Sequence, residues 1–444
     1  MLKYNLDKRL PHYRGKKWIR SGLPLKGQVW CLGQPGLSHK KISKDKELTR
    51  AVSYSTEYKK WKWPKQPIYF FSDLHADAEA FVASLVVSGG VKKTGADNND
   101  FRLLREGRDA RFIIGGDCLD KGPSNLQLLR SIRTLSKRGA SVQLLAGNHD
   151  MRLLMAMRTL HMKKDPRTEH FFVRMGAKAI PLLKEIYAHY LAGNNSLHSI
   201  PGKRKCKQLL FPSDRWFDEF PRSARWVMPE NAIKREVLRL KRKADRFESL
   251  CDEAGLSLPM VYATAIKCRA LFLEPAGEFF WFYNRMKLAK RIGSFLFVHA
   301  GLDDRVATLI KDKGVAYLNK LYRHQIHNNL FEFYYGPLAN VMRTKYRDID
   351  MPLTNYGVDR IYEKGIHAIV HGHRNNIEGQ RLMLRKGMLH VESDTTMDRN
   401  SRKKEGLEGY GVGVTIIHPE GQVIGISADY PYAKVFEPQR LVNK

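Results

Sequence analysis

The chain has 444 residues, of which 43% are hydrophobic, and a formal net charge of +32. This length and composition predict a large folded core and exclude a chain that is disordered throughout. The positive charge predicts attraction to polyanions such as nucleic acid, anionic lipid or acidic proteins, without deciding among them. No apolar run approaches the roughly 18 residues of a membrane-spanning helix, and the N-terminus lacks the apolar segment of a signal peptide.

The five cysteines are dispersed, odd in number and contain no C-x-x-C pair. This usage argues against a disulfide framework or a zinc ribbon, and it fits a reducing compartment. We therefore expect a cytoplasmic protein.

Residues 1–66 hold 17 basic and 4 acidic residues, with turn formers and little periodicity. We interpret them as a basic N-terminal extension that packs on the main domain. A transit peptide is the weaker alternative, because serine is scarce.

From residue 67 the pattern changes to short apolar runs at 67–71, 111–115 and 142–146, each followed by polar residues. Runs this short, rich in aromatic and aliphatic residues, are typical of buried strands. Between them, leucine and isoleucine recur with a helical period over 125–137. Alternating strands and helices predict an α/β layered domain.

Residues 151–290 favour helix, with proline and glycine breaks, and hold 27 basic and 14 acidic residues, including clusters at 203–207 and 241–243. Strand-like runs resume at 294–299 and recur at 366–371, 387–391, 411–417 and 422–427. We therefore predict one core, 67–150 with 291–444, interrupted by a basic helical insertion or cap, 151–290.

Five short polar motifs stand at the ends of apolar runs in this core. They are SDLHAD at 72–77, GDCLDKG at 116–122, GNHD at 147–150, VHAG at 298–301 and VHGH at 370–373. Each contributes Asp, Asn or His. Divalent ions accept carboxylate and amide oxygens, and transition metals also bind imidazole. The motifs together predict a site for two adjacent metal ions, as in phosphoester-cleaving enzymes.

The D-x-H arrangement after a strand can turn Asp73 and His75 toward one ion, and the Asp117 carboxylate, at the end of the next strand, could bridge two ions. Asn148 offers an amide oxygen to the second ion. His299 and one histidine of the pair at 371 and 373 complete that second group.

His149 directly follows Asn148 and is our candidate general acid for the leaving oxygen. Asp120, three residues after Asp117, is its predicted orienting partner. A carboxylate that accepts a hydrogen bond from imidazole favours the protonated ring. Asp150 is interpreted as a cap of the following helix, and Asp77 and Asp394 as candidate partners of ligand histidines.

In order and spacing, these motifs resemble the calcineurin-like metallophosphoesterases, closest to the phosphoprotein phosphatase (PPP) branch and its bacterial relatives. The resemblance covers 67–150 and 291–427. It implies a ββ sandwich of mixed sheets flanked by helices, with a dinuclear site at strand ends. It assigns one metal to Asp73, His75 and Asp117. It assigns the other to Asp117, Asn148, His299 and His373.

Two further residues follow from the resemblance as substrate phosphate ligands. Lys121 stands where the family has the arginine of D-R-G, and it offers a point charge without a bidentate fork. Arg343, in the segment YGPLANVMR, occupies the region that supplies a phosphate-binding arginine, with Arg305 and Arg347 as alternatives. Ser72 and Ala76 replace family glycines without removing a ligand.

We therefore predict a phosphoesterase that uses two divalent ions (Mn²⁺, Fe²⁺/Fe³⁺ or Mg²⁺) and a metal-bound hydroxide, with a histidine acid. The expected substrate is a phosphoprotein or small phosphomonoester. One alternative is a hydrolase of dinucleoside polyphosphates or RNA ends, and another is a nucleic-acid-binding protein with a vestigial phosphatase core. The basic extension and insertion predict a polyanionic partner, RNA or an acidic protein.

Overall fold

The computed structural model describes residues 6–14, 16–19, 22–33, 40–193 and 199–442. Parts of the predicted basic extension lie outside these ranges. The strands within them are β1 Gly27–Val29, β2 Ile68–Phe71, β3 Val91–Lys93, β4 Phe101–Leu103, β5 Arg111–Ile114, β6 Ser141–Leu145, β7 Met286–Lys287, β8 Lys290–Ile292, β9 Phe295–Phe297, β10 Ala368–His371, β11 Arg381–Arg385, β12 Met388–Glu392, β13 Gly413–His418, β14 Gln422–Ser427 and β15 Ala433–Phe436.

Helices surround these strands. They are α1 Lys40–Tyr58, α2 Ala78–Val87, α3 Arg105–Arg108, α4 Asn125–Lys137, α5 Asn148–Thr159, α6 Phe171–Met175, α7 Ile180–Tyr190, α8 Lys203–Leu210, α9 Trp216–Ala224, α10 Glu230–Glu253, α11 Leu258–Leu273, α12 Phe280–Arg285, α13 Asp304–Asn328, α14 Leu330–Tyr335, α15 Asn340–Arg343, α16 Asn355–Glu363, α17 Arg399–Lys404 and α18 Gln439–Val442.

Two mixed sheets form the core. The larger has the order β1-β15-β14-β13-β2-β5-β6-β7, and the smaller has the order β11-β12-β10-β9-β8. Strands β2, β5, β6 and β7 run parallel, as do β9, β10 and β12. The carboxyl ends of each parallel set therefore meet at one edge of the sheet.

A buried apolar layer joins the two sheets. Phe70 of β2 lies 5.8 Å, centroid to centroid, from Phe297 of β9. The same layer contains Ile113, Leu145, Val370 and Val391 from both sheets. Burying a large apolar side chain stabilises the fold by about 1.5–3 kcal/mol. The arrangement confirms the predicted α/β class and the sandwich of mixed sheets flanked by helices.

The insertion packs against the core through its helices. Helices α6 and α11 contact α5, and α7 contacts α4. A buried ion pair, Arg174 on Glu236 at 2.6 Å, joins α6 to α10. Both α4 and α5 follow core strands that carry site motifs, so the insertion rests beside the strand ends.

Strand pairing extends beyond the apolar runs that the sequence singles out. In the segment interpreted as a basic extension, β1 pairs in parallel with β15 at the edge of the larger sheet. Pairing resumes after the helices at Met286, where β7 joins β6.

Among the described helices, none is by itself long and apolar enough to cross a membrane. The pair α10 and α11 meets the length and composition requirement jointly, with a bend of 94° between the two helices.

Candidate active site

Parallel strand ends bring the predicted ligands to one place. Asp73 follows β2, Asp117 follows β5, and Asn148 begins α5 directly after the turn that ends β6. His299 and His373 each stand two residues after β9 and β10 of the second sheet. The site therefore lies where the carboxyl edges of the two sheets meet.

The backbone at this edge is bent into the left-handed region, which is costly for residues with a side chain, at about 1–3 kcal/mol each. Seven of the ten non-glycine residues with positive φ in the described chain belong to these loops: Asp73, His75, Ala76, Asp117, Asp120, Lys121 and His373. Such strain persists only where the surrounding structure enforces it, and it is typical of functional sites.

Two glycines permit the close approach of these loops. A Cβ on Gly147 would lie 2.3 Å from Asp117 Oδ1, and one on Gly372 would lie 2.0 Å from Asp73 Oδ2. Asp73 Oδ2 also accepts the backbone N–H of His373 at 2.8 Å, which ties the two sheets together at the site.

Two groups of potential ligand atoms share one carboxylate. Asp117, His75 and His149 form one group, and Asp117, His299 and His373 form the other, with all atoms of each group within 4.8 Å of one another. Asp73 Oδ1 lies 3.9 Å from His75 Nε2, on the side of the first group. Asp117 therefore stands between two places that can each hold a cation.

The amide of Asn148 supports a cation in the second group. Its Oδ1 lies 3.3 Å from His299 Nε2, and the same corner of the amide lies 2.9 Å from His373 Nδ1 and 3.2 Å from the Met342 carbonyl oxygen. The Met342 carbonyl is an acceptor, His299 Nε2 is an acceptor when its ring is neutral because Nδ1 donates to the Gly115 carbonyl, and His373 Nδ1 is an acceptor in one of its two neutral tautomers. Lone pairs that converge in this way are repulsive unless a cation lies among them, so the donor set fits a metal ion.

Electrostatics within the site match that donor set. Burial, followed by the charge of Lys121, holds the pKa of His75 well below its usual value, so the ring stays neutral as a ligand must. Burial likewise lowers the pKa of His373. Burial disfavours the ionised form of Asp117, but His299 and His149 outweigh it and hold its pKa well below the usual value.

His299 is oriented from the rear. Its Nδ1 donates to the Gly115 carbonyl at 2.8 Å, which turns Nε2 toward Asp117 Oδ2, 3.4 Å away. Burial lowers its pKa, but the Asp117 carboxylate outweighs burial and raises it to about 10, so without metal this ring is protonated and must release a proton to bind an ion. A backbone carbonyl that fixes the tautomer is the usual support of a metal-binding imidazole.

His149 and Asp120 are in direct contact. His149 Nδ1 donates to Asp120 Oδ2 at 2.5 Å, and Nε2 faces the site, 3.8 Å from Asp117 Oδ2. The backbone N–H of His149 donates to Asp117 Oδ1 at 2.8 Å. The net shift of the His149 pKa is downward, because burial outweighs Asp117 and Asp120. The protonated form expected from the carboxylate alone is thus opposed by lost hydration.

Lys121 lies in the site, but Arg343 has other partners. Lys121 Nζ donates to His75 Nε2 at 2.9 Å. Arg343 follows Met342, whose carbonyl faces Asn148, yet its guanidinium donates to the Tyr334 carbonyl and stacks on the Tyr334 ring, 4.3 Å from the centroid.

Three acidic residues have roles other than those expected. Asp150 does not cap its own helix: its Oδ1 accepts the N–H groups of Cys118 and Leu119, both at 3.1 Å, and so holds the loop after β5. Asp77 caps α2 and binds Arg399 instead of a histidine.

Asp394 is also predicted to bind a histidine, but its carboxylate instead accepts the Thr396 N–H at 2.9 Å. Burial, followed by the charge of Asp73, raises its pKa well above the usual value. Its nearness to Asp73 thus opposes ionisation of the Asp394 carboxyl group.

Two cations near the site, Arg152 and Lys178, were not predicted from the sequence motifs. Arg152 lies three residues after His149 on α5, and Lys178 lies in a 3-10 turn, Ala177–Ala179. The helical spacing of Arg152 from His149 was a usable signal. Lys178 had none, because only chain folding brings it to the site.

Comparison with known proteins places the chain in a family. The sequence model of the calcineurin-like phosphoesterases matches residues 66–389. No curated protein sequence matches the chain. Among solved structures, a cold-active protein-tyrosine phosphatase of the psychrophile Shewanella sp. is similar at 12% identity and a TM-score of 0.40, over 84% of this chain and 80% of that one. A protein serine/threonine phosphatase from Saccharomyces cerevisiae, described as similar to human PP5, is 12% identical with a TM-score of 0.35, over 88% and 90% of the two chains.

Proposed function

Because the chain belongs to the calcineurin-like phosphoesterase family and is a metal-dependent phosphoesterase, we propose that it hydrolyses phosphate monoesters at the site around Asp117. The observation that carries the proposal is the shared carboxylate: Asp117 belongs to both groups of potential ligands, and His149 stands next to it. A phosphoprotein or a small phosphomonoester is the substrate we favour.

The residues would divide the metal ions between them. Asp73, His75 and Asp117 would hold one ion, and Asp117, Asn148, His299 and His373 would hold the other. Two divalent ions at such a site lower the pKa of water and neutralise the phosphoryl oxygens. Mn²⁺, iron and Mg²⁺ all suit the ligand set of oxygen and imidazole, with imidazole favouring the transition metals.

His149 would supply the proton to the leaving oxygen. Its Nδ1 is engaged by Asp120, so the proton to be delivered is the one on Nε2, which faces Asp117. A bound phosphate ester brings negative charge next to the ring and favours the imidazolium form. Asp120 would hold the ring in this orientation through both protonation states.

Lys121 would bind a phosphoryl oxygen. Its ammonium lies 2.9 Å from the ring of His75, at the edge of the first group of ligands. As a point charge it neutralises the phosphate without the fixed two-point geometry of an arginine. We keep Arg343 as a second phosphate ligand in the proposal, which requires its guanidinium to leave the Tyr334 carbonyl.

The test is a hydrolysis screen on protein stripped by chelation and reloaded singly with Mn²⁺, Mg²⁺ or Fe²⁺. The substrates are p-nitrophenyl phosphate, phosphopeptides, nucleotides and dinucleoside polyphosphates. We expect turnover only after reloading, because the single ammonium of Lys121 does not supply the charge of two divalent ions. Preference for dinucleoside polyphosphates or capped RNA ends would favour the alternative hydrolase. Equal turnover by stripped and reloaded protein would remove the proposal.

A second proposed activity is the binding of a polyanion, RNA or an acidic protein, through the extension and the insertion. A cavity of about 1090 Å³ supports it, with a lining that includes Arg158, Lys163, Arg167, Arg269 and His327. The cluster at 203–207 is partly neutralised, since Lys203 and Lys207 both bind Glu248 at 2.8 Å. In the cavity, Arg167 and Arg269 are also paired, with Asp165 and Glu274, whereas Lys163 forms no ion pair in the described part of the chain and is the residue to test.

We expect Lys163→Glu to weaken binding of an RNA oligonucleotide. The slope of the logarithm of the binding constant against the logarithm of salt concentration should become less steep by about 1 for each phosphate contact that is lost. The measurement is a pair of fluorescence titrations at low and physiological salt, repeated with an acidic protein as competitor. Lys386→Glu, the same change on the exposed turn between β11 and β12, is the matched control. Absence of RNA and acidic-protein binding by the unmodified protein at low salt would end this second proposal.

A cytoplasmic location also remains our proposal. Cys118, Cys206, Cys251 and Cys268 are buried free thiols, which supports a reducing compartment.

A further inference from the structure

A group of cations lies between the insertion and the core, next to the proposed metal centre. We call it the cap cation cluster, and it comprises Arg152, Arg174, Lys178, Lys243 and Arg343. Within the described part of the chain, the carboxylate in contact with it is Glu236, which binds Arg174 at 2.6 Å. Arg174 is buried, and Arg152, Lys243 and Arg343 are half-buried, so the positive charge that Glu236 leaves unbalanced there is unfavourable without a bound anion.

Arg152 connects this cluster to the catalytic motif. It lies three residues after His149 and four after Asn148 on α5, so all three share one helix face. Its side chain is half-buried, and its Nε has no hydrogen-bond partner among the described residues. A buried guanidinium donor without an acceptor is costly, so an acceptor from outside the chain is expected there.

Tyr334 supplies a second unused donor. Its ring lies beneath the guanidinium groups of Arg343, at 4.3 Å from the centroid, and Arg174, at 5.4 Å. The side chain is only 2% exposed, and its hydroxyl has no hydrogen-bond partner in the described chain. A hydroxyl buried among arginines is placed to donate to an anion that those arginines attract.

The two lysines complete the cluster from the insertion. Lys243 Nζ donates to the Arg174 carbonyl at 2.8 Å and lies against Gly176, where a Cβ would approach it to 2.5 Å. Lys178 follows two residues later, and it is exposed, whereas Arg152 and Arg343 are half-buried. Lys178 is therefore the member of the cluster that is open to solvent.

Charge coupling agrees with this placement. Burial, followed by the charges of Arg174 and Arg152, lowers the pKa of Lys243 to about 7. Burial, followed by the charge of Lys121, lowers the pKa of Lys178, and Asp120 acts in the opposite sense. Lys178 thus lies within electrostatic reach of the two residues that flank the metal centre.

From these contacts we propose that the cap cation cluster is a binding subsite for a second phosphate group of the substrate. The substrate class is then a small phosphate ester that carries at least one phosphate beyond the reacting one. The inference rests on the proposed function of the neighbouring metal centre, because that centre would hold the reacting phosphate. The cluster lies where α6 contacts α5 and α10, and all its members except Lys178 are buried or half-buried, which favours a small condensed phosphate over a polymer.

The test uses inorganic tripolyphosphate and orthophosphate as competitors of p-nitrophenyl phosphate hydrolysis by the metal-loaded protein. We expect tripolyphosphate to inhibit at a concentration at least about tenfold lower than orthophosphate, because it can occupy both places. Arg152→Gln should remove most of this preference, because one lost charged hydrogen bond is worth about 10-fold or more. Tyr334→Phe should reduce it by a smaller factor, because it removes a neutral donor.

Lys184→Gln is the matched control, since it removes one exposed lysine from α7 of the insertion. It should leave the preference unchanged. Tripolyphosphate also chelates metal, but chelation acts equally on every variant at the same free metal concentration. Lys178→Gln provides an exposed, second substitution should Arg152→Gln not fold. An unchanged preference in both variants would overturn the subsite.

A calorimetric titration of tripolyphosphate separates the two proposals. If no metal restores p-nitrophenyl phosphate hydrolysis, the proposed function fails, and the titration still reports on the cluster. Tighter binding to the parent protein than to Arg152→Gln then supports the subsite, and equal binding refutes it.

Discussion

Asp117→Asn is expected to lower kcat for p-nitrophenyl phosphate by at least about two orders of magnitude and to lose bound metal, because a neutral amide replaces the carboxylate common to both ligand groups. Asparagine keeps the shape and an oxygen for the His149 N–H, now 2.8 Å from Oδ1. The loss therefore reports charge more than folding. The measurements are steady-state kinetics with each metal and elemental analysis of the dialysed protein.

Asp312→Asn is the control for this change, since it neutralises an exposed carboxylate on α13. It should retain both activity and metal. Thermal unfolding of the two variants checks that neither has lost its fold. Parent-like kcat and metal content in Asp117→Asn would contradict the shared-carboxylate proposal.

His149→Ala should impair alkyl phosphates far more than p-nitrophenyl phosphate. A general acid typically contributes about 10²–10⁴-fold, and nitrophenolate leaves with little need of a proton. The ring is placed for this role, with Nδ1 on Asp120 at 2.5 Å and Nε2 facing the site. The measurement is kcat for a series of esters with leaving groups of increasing pKa, in which the variant should show a steeper decline.

Asp120→Asn should show the same pattern in milder form, because it leaves the imidazole in place but weakens its orientation. His390→Ala is a less suitable control, since that ring is buried in β12. The exposed His189 of α7 is better, and His189→Ala should match the parent protein for every ester. Equal losses across the series in His149→Ala would remove this residue from the acid role.

The local pattern of apolar and polar residues was sufficient to predict many of the helices and strands and the residues of the site. The leucine period over 125–137 predicts a helix that the structure has as α4, Asn125–Lys137. The short apolar runs predict strands because a buried strand needs only four or five apolar residues. Polar motifs directly after parallel strands converge wherever those strands pair, so motif order alone indicated one common site.

Contacts between residues far apart in the chain could not be predicted from the sequence. Strand β1 is three residues long and only partly buried, and it is a strand because β15 offers it hydrogen bonds. Asp150 was interpreted as a helix cap from its position, yet its carboxylate accepts the N–H groups of a loop 31 and 32 residues earlier. Backbone groups that need a partner accept whichever one folding brings near.

The sequence by itself thus determined which residues can bind metal or carry a proton, because that chemistry belongs to the side chains and to their spacing after strands. Only the tertiary structure decided which cations stand beside them. Arg152 joins Lys178 and Lys243 across α5, the Ala177–Ala179 turn and α10. In the sequence these are separate charges of a basic chain. Packing brings them together beside Arg174 and its partner Glu236, and the partial desolvation of Arg152 and Lys243 makes the group a candidate anion site.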